Sequence, residues 1–230
     1  MHPLVGRKEE CRVIEELMHQ RKNILVTGEG GVGKSAILDH VMAARSGKNV
    51  LYSKQSATLK GTLVNIVEFA TGAKNLAKKN ILALKKICYQ LLDPSPEYLI
   101  LDHLGWVEPK FYGFLIYLTE RRIPLIIVTR EREKQRLGHF WMGLYDFEKL
   151  EIKNLDAAGT DQLIDSCAAS LDLKLEDTAD FKREVFRTSK GNPKIIEELC
   201  RLAGDEKYEL KGFIDVKLMD LDRRINSAVR

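Results

Sequence analysis

Apolar residues along the first two thirds of the chain fall in short continuous runs separated by longer amphipathic stretches, and this alternation sets the expected fold. The runs are 24–27, 50–52, 98–102, 125–130 and, more weakly, 147–152. Runs of this kind, bounded by turn residues, predict strands buried on both faces, as in a parallel sheet. The stretches between them carry helical spacing: 7–20 with Val13, Ile14 and Leu17, a helix from Ser35 with Ile37, Leu38, Val41 and Met42, then 59–70, 81–92 and 111–120. Gly47-Lys48-Asn49 is turn chemistry, and Pro94-Ser95-Pro96 stops the 81–92 helix. Strands alternating with helices predict an α/β fold with a parallel sheet between two helical layers.

After Leu155 only helices are predicted, over 157–170, 178–190 and 193–203. Gly191 suits the C-cap of the second, and Pro193 the first turn of the third. The expected division is an α/β domain over 1–154, a small all-α domain over 155–204 and a tail over 205–230. The tail is polar with apolar Phe213, Ile214, Val216, Leu218, Met219 and Leu221, the pattern of a helix that docks on the body or on a partner.

Composition changes this picture little. The 230 residues are 44% hydrophobic and 30% charged, with mean hydropathy −0.23. No apolar run approaches the roughly 18 residues of a spanning helix, so no membrane insertion is expected. The first residues show no apolar signal core, which predicts a cytoplasmic protein. Cys11, Cys88, Cys167 and Cys200 are scattered without C-x-x-C spacing, which predicts reduced, packed thiols and no zinc site. A net charge of +4 is too weak by itself to indicate nucleic acid. Lys74, Lys78, Lys79, Lys85 and Lys86 have no interleaved aromatics and read as a solvated face.

The chemistry is concentrated at 28–35. Gly28-Glu29-Gly30-Gly31-Val32-Gly33-Lys34-Ser35 matches G-x-x-x-x-G-K-[ST], between a predicted strand and a predicted helix. Glycines let successive amides turn inward on a triphosphate, and the helix opening at Ser35 and Ala36 adds its positive dipole end. Lys34 neutralises β- and γ-phosphate oxygens, and Ser35 supplies a hydroxyl to Mg²⁺. A nucleoside triphosphate is therefore the expected ligand. Asp102, at the end of an apolar strand, is the expected second Mg²⁺ group. His103 follows it, and histidine serves as a general base near neutral pH. Thr129 and Arg130 end the next strand, where a polar or cationic group reaches the γ-phosphate. Glu29 and Glu108 are weaker alternatives to His103. Trp106 and Trp141 are either core or interface anchors, and Arg121 and Arg122 end a helix as dipole partners or reach a neighbouring subunit.

The order of these pieces resembles the AAA+-related P-loop ATPases, and more closely their STAND branch of signalling ATPases. Val5-Gly6-Arg7 resembles the N-terminal box beside the adenine, and Gly28–Ser35 the Walker A loop. Leu99–Asp102 resembles Walker B, Ile126–Arg130 the sensor strand with its γ-phosphate arginine, and Gly191-Asn192-Pro193 the G-x-P motif of a helical lid whose proline packs on the base. The likeness runs over residues 4–204. It implies binding of ATP or ADP with Mg²⁺, and catalytic roles for Lys34, Asp102, His103 and Arg130. The acidic residue that follows Walker B in hydrolysing relatives is replaced by His103, which implies slow turnover. Trp106 stands one residue beyond the tryptophan of the plant-resistance-type members. The resulting expectation is a slow nucleotide-dependent switch that signals through a lid hinged near 154–156, to a protein partner or by self-association. An oligomeric ATPase remodelling or loading a protein or DNA client is the alternative. Adenine preference rests on the resemblance, and the N-K-x-D signature of GTP-specific proteins is not found.

Overall fold

The computed structural model describes residues 4–45, 49–130, 137–138, 140–173, 178–205, 207–208 and 213–228. The predicted Gly47-Lys48 turn lies outside the described residues, as do Arg132 and Arg136, which like Arg121 and Arg122 are candidates to reach a neighbouring subunit. The chain forms two compact units, one of residues 9–29 and 37–152, the other of 1–8, 30–36 and 153–230.

The first unit is built on five parallel strands, β1 (Ile24–Gly28), β2 (Val50–Ser53), β3 (Tyr98–Leu101), β4 (Leu125–Val128) and β5 (Glu148–Ile152), in the order β2-β3-β4-β1-β5. Every residue of the first four strands is buried, as their unbroken apolar runs predict. β5 is the weak run because it is an edge strand, and only Ile152 is buried in it. One face of the sheet, through Leu25, Leu51, Leu99, Leu101, Leu125 and Ile127, packs on α3 (Leu59–Thr71), α4 (Ile81–Leu91) and α5 (Pro109–Glu120). The alternate residues Ile24, Val26, Ile100, Ile126 and Val128 are buried on the opposite face. On that side the Tyr98 hydroxyl donates to the carbonyls of Leu17 and Lys22, at and just beyond the end of α1 (Lys8–His19), and α2 (Lys34–Ala43) buries Ile37, Leu38 and Val41.

Local chemistry sets the helix ends. Thr58 Oγ1 accepts from the Gly61 amide at 3.2 Å, Asn80 Oδ1 from Ala83 at 2.8 Å and Asp156 Oδ1 from Gly159 at 2.7 Å. α5 starts at Pro109, two residues before the expected 111, because proline is suited to the first helical turn. The four-residue α6 (Phe140–Gly143) escapes the sequence reading, since four residues are too few to show a period.

The second unit holds α7 (Ala157–Leu171), α8 (Thr178–Ser189), α9 (Pro193–Ala203) and α10 (Phe213–Ala228) around a core that includes Leu163, Ile164, Cys167, Val185, Ile196, Leu199, Val216 and Met219. The tail thus contributes α10 to the helical core, while its Leu218, Leu221 and Ile225 remain exposed. Gly191, between α8 and α9, has φ +76, and a Cβ there would lie 1.9 Å from the Leu155 carbonyl oxygen. Only glycine fits this turn. No described helix is long and apolar enough to cross a membrane.

Candidate functional site

Gly28 closes β1, and the chain then turns through Glu29–Gly33 into α2. Gly31 (φ +82) and Gly33 (φ +98) adopt angles that favour glycine. A Cβ on Gly31 would lie 2.8 Å from both Asn192 Oδ1 and Lys194 Cβ, so close approach as well as backbone angle demands glycine here.

Three consecutive loop carbonyls have donors within the second unit. Asn192 Nδ2 donates to Gly30 O at 3.0 Å, the Lys194 amide to Gly31 O at 3.2 Å, and Arg7 Nη2 to Val32 O at 3.0 Å. In a planar trans peptide the N–H points opposite to the C=O, so these bonds set which way the amides of Gly31, Val32 and Gly33 face. Arg7 Nη2 also donates to the Lys153 carbonyl at 2.7 Å. Although buried and singled out in the sequence as a nucleotide residue, Arg7 acts here as a clamp on two backbone segments.

Beside the loop lies a cavity of about 170 Å³. Its walls are Leu4, Val5, Leu155, Leu163 and Pro193, the loop residues Gly31, Val32 and Gly33, and Arg7, Ala36, Lys194 and Glu197. Of the proposed nucleotide residues, Val5, Arg7, Gly31, Val32, Gly33, Ala36 and Pro193 line it, whereas Gly6, Gly28, Glu29, Gly30, Lys34 and Ser35 do not. Gly6 instead packs on Leu155, where a Cβ would come within 3.0 Å of Cδ2. Lys34 and Ser35 form the first turn of α2.

In the sheet unit, β3, β4 and β1 are neighbours, so Asp102, Thr129 and Gly28 fall side by side at the carboxyl ends of adjacent strands. Ligands of open α/β sheets bind at this edge. Asp102 is buried and both its oxygens accept from the protein. Oδ1 faces the His103 amide at 2.7 Å and His103 Nδ1 at 2.9 Å, and Oδ2 accepts from the Tyr52 hydroxyl at 3.1 Å. His103 has φ +55, which folds its half-exposed ring back on the carboxylate. Burial first, and then the Asp102 and Asp39 carboxylates, push the Tyr52 phenol far above its ordinary range, so it remains a donor. Thr129 Oγ1 donates to the Leu104 carbonyl at 3.2 Å, and Arg130 is exposed.

No protein-family model and no curated protein matches the chain. Solved structures do. The ORC2 protein of Aeropyrum pernix, described in ADPNP and ADP complexes, superposes with TM-score 0.60 at 15% identity, covering 95% of this chain and 68% of that one. A Walker-type ATPase of Pyrococcus abyssi gives 0.63 at 14% identity, covering 98% and 74%. The RuvB Holliday junction branch migration motor of Thermotoga maritima gives 0.55 at 16%, covering 86% and 61%. The chain shares the fold of these solved structures, a Walker-type ATPase among them.

Within this P-loop fold the residues present suit a nucleotide. The loop carbonyls are already claimed by other donors, the glycine cradle has no room for side chains at Gly31, and an apolar cavity adjoins it. No cluster of three or more metal-ligating side chains occurs among the described residues. Mg²⁺ bound through phosphates needs only one or two protein groups, and Ser35 and Asp102 are of the right oxygen chemistry. Sequence reading missed the contact of Tyr52 with Asp102 and that of Asn192 with the loop. Tyr52 is a polar tip inside an apolar strand, and Asn192 occupies the middle of the Gly-x-Pro turn. Both were visible as residues, but only the fold supplies their partners.

Proposed function

We propose that the chain is a Mg²⁺-dependent ATP-binding ATPase that turns over slowly and acts in the cytoplasm as a nucleotide-controlled switch, its helical unit passing the state of the nucleotide to a protein partner or to a second copy. The observation that carries this reading is the trio of bonds from Asn192, Lys194 and Arg7 to the Gly30, Gly31 and Val32 carbonyls. Displacing the first turn of α9 must break two of them or move the phosphate loop.

In this reading the loop amides and Lys34 hold the phosphates, and Val5 and Pro193 flank the base. Ser35 and Asp102 hold Mg²⁺, which when bound neutralises charge on the phosphate oxygens. Tyr52 and the His103 amide fix the Asp102 carboxylate. With Nδ1 turned to Asp102, His103 presents Nε2 as the base for a water. Thr129 and Arg130 report the γ-phosphate, and its loss lets α7–α9 turn about 154–156. The box at Val5–Arg7 and the Gly191-Asn192-Pro193 turn favour the STAND branch over other AAA+ types. For the switch to move populations, ATP must favour one state by a few kcal/mol, on the order of 5 for near-complete conversion.

Small-angle scattering with ADP and with a non-hydrolysable ATP analogue tests it. A nucleotide-dependent change in the profile that Arg130→Ala abolishes is the expected result, and superimposable profiles for the native chain end the switch.

A further inference from the structure

The stretch 69–92 carries five lysines, Lys74, Lys78, Lys79, Lys85 and Lys86, and no acidic residue or arginine. Its +5 exceeds the +4 of the whole chain, so the remaining residues sum to −1 and the net positive charge is concentrated here. The stretch forms a single 3₁₀ turn (Leu76–Lys78) and then α4, anchored in the core of the sheet unit by Leu76, Leu84 and Cys88. Lys74, Lys78, Lys79 and Lys86 are exposed and Lys85 is half-buried, and none of the five has an ion pair among the described residues. Exposed lysines elsewhere, such as Lys22, Lys54 and Lys207, meet the carboxylates of Glu148, Asp39 and Asp222. Among the unpaired cations stands Leu82, 80% exposed. It lies three and four residues before Lys85 and Lys86, and so on the same ridge of α4. The start of α4 adds its positive dipole end, with no acidic residue in the first turn to offset it.

We propose that this face docks on an anionic lipid surface, its lysines against the headgroups and Leu82 dipping into the acyl boundary. The chain then lies on the bilayer and does not span it, and this docking does not depend on the nucleotide reading. The kind of cation selects the partner. All five are lysine, a strongly hydrated point charge, and none is arginine, whose planar fork suits carboxylates and nucleic-acid phosphates. Lysine is also depleted at protein–protein interfaces. No aromatic residue lies between Lys74 and Lys86 to stack on a base, and an exposed leucine gains nothing against a phosphate backbone. A bilayer supplies both partners, diffuse negative charge and, just beneath it, hydrocarbon.

Co-sedimentation of the full chain with vesicles tests the assignment. Phosphatidylcholine vesicles containing about one third phosphatidylserine should bind the chain, and phosphatidylcholine alone should not. A lysine near an anionic surface is worth about fivefold in partitioning, so Lys79→Gln combined with Lys86→Gln should weaken binding about 25-fold. Leu82→Ser should weaken it at least about threefold and leave its salt dependence unchanged. Because these side chains are exposed, unchanged melting curves should accompany both losses. A native chain that ignores the anionic vesicles, or binding that either variant leaves undiminished, overturns the proposal. Duplex DNA or polyglutamate bound in place of the vesicles, and lost in the lysine variant, assigns the face to nucleic acid or to an acidic protein and overturns it too.

Discussion

The side-chain amide of Asn192 donates to the carbonyl of Gly30 at 3.0 Å, joining the turn before α9 to the middle of the phosphate loop. Asn192 is only 3% exposed, so water cannot readily replace its amide at this bond. Asn192→Ala should weaken ATP binding about tenfold, the value of roughly one hydrogen bond that fixes the loop, while lowering global stability by only about 1 kcal/mol. Calorimetric titration and chemical denaturation separate the two effects. Undiminished ATP affinity in the variant would show that the loop holds its shape without the bond.

Gly191 carries the companion constraint. The Leu155 amide donates to its carbonyl at 2.8 Å, while the Leu155 carbonyl oxygen occupies the space a Cβ would need. Gly191→Ala therefore meets both a positive φ and a backbone clash that no rotamer relieves. A loss of about 3 kcal/mol or more is expected. A denaturation midpoint equal to that of the native chain would contradict this geometry.

Much of the fold was legible because its central strands are buried on both faces and read as unbroken apolar runs, such as Tyr98–Leu101 and Leu125–Val128. β5 was faint for the opposite reason, being an exposed edge, and α6 was too short to carry a period. In the candidate site, the loop residues follow from a local motif. Partnerships across long separations do not: Tyr52 meets Asp102 only because β2 and β3 are neighbours, and Asn192 meets Gly30 across 162 residues. Nor does spacing reveal that Arg7 is committed to backbone carbonyls and that Glu197, not Glu198, faces the cavity.

Tyr52 supplies the only donor to Asp102 Oδ2 among the described residues. Tyr52→Phe leaves that buried oxygen without it, at a cost of about 1–3 kcal/mol. It should also free the carboxylate to turn, weakening ATP binding more in the presence of Mg²⁺ than in its absence. Melting curves and titrations with and without Mg²⁺ measure both. Equal losses in the two titrations would confine Tyr52 to a structural role.

All four cysteines are free and buried. Burial pushes the Cys88 thiol up to about 12, and the Cys200 thiol is raised by its hydrogen bond with Cys167 and by burial. At pH 8 the Cys88 and Cys200 thiols remain protonated, and Cys167, whose hydrogen bond with Cys200 lowers it, is buried like the others. An aromatic disulfide reagent should find no fast-reacting thiol in the folded chain and all four after guanidinium unfolding. A thiol that reacts within seconds in the native state would show that its helix opens.

The His103 ring is turned onto Asp102 at 2.9 Å, and in the proposed function His103 is the base that orients the attacking water. On that proposal the Asp102 carboxylate has two tasks, orienting the imidazole and holding Mg²⁺. Turnover should therefore lie below roughly 1 s⁻¹, the low end for typical enzymes. His103→Ala should lower it a further tenfold or more, roughly the least a general base contributes, with ATP affinity little changed. The measurement is steady-state Mg²⁺–ATP turnover over a hundredfold range of protein concentration, with Lys34→Ala as the blank. Turnover per chain that stays flat supports a site completed within one copy. Turnover that climbs with concentration would mean that a neighbouring copy supplies a group, and the exposed Arg121 and Arg122 are the first to replace by alanine. In that case the assembling ATPase displaces the solitary switch, and His103→Ala should then have a smaller effect than loss of the arginine from the neighbour.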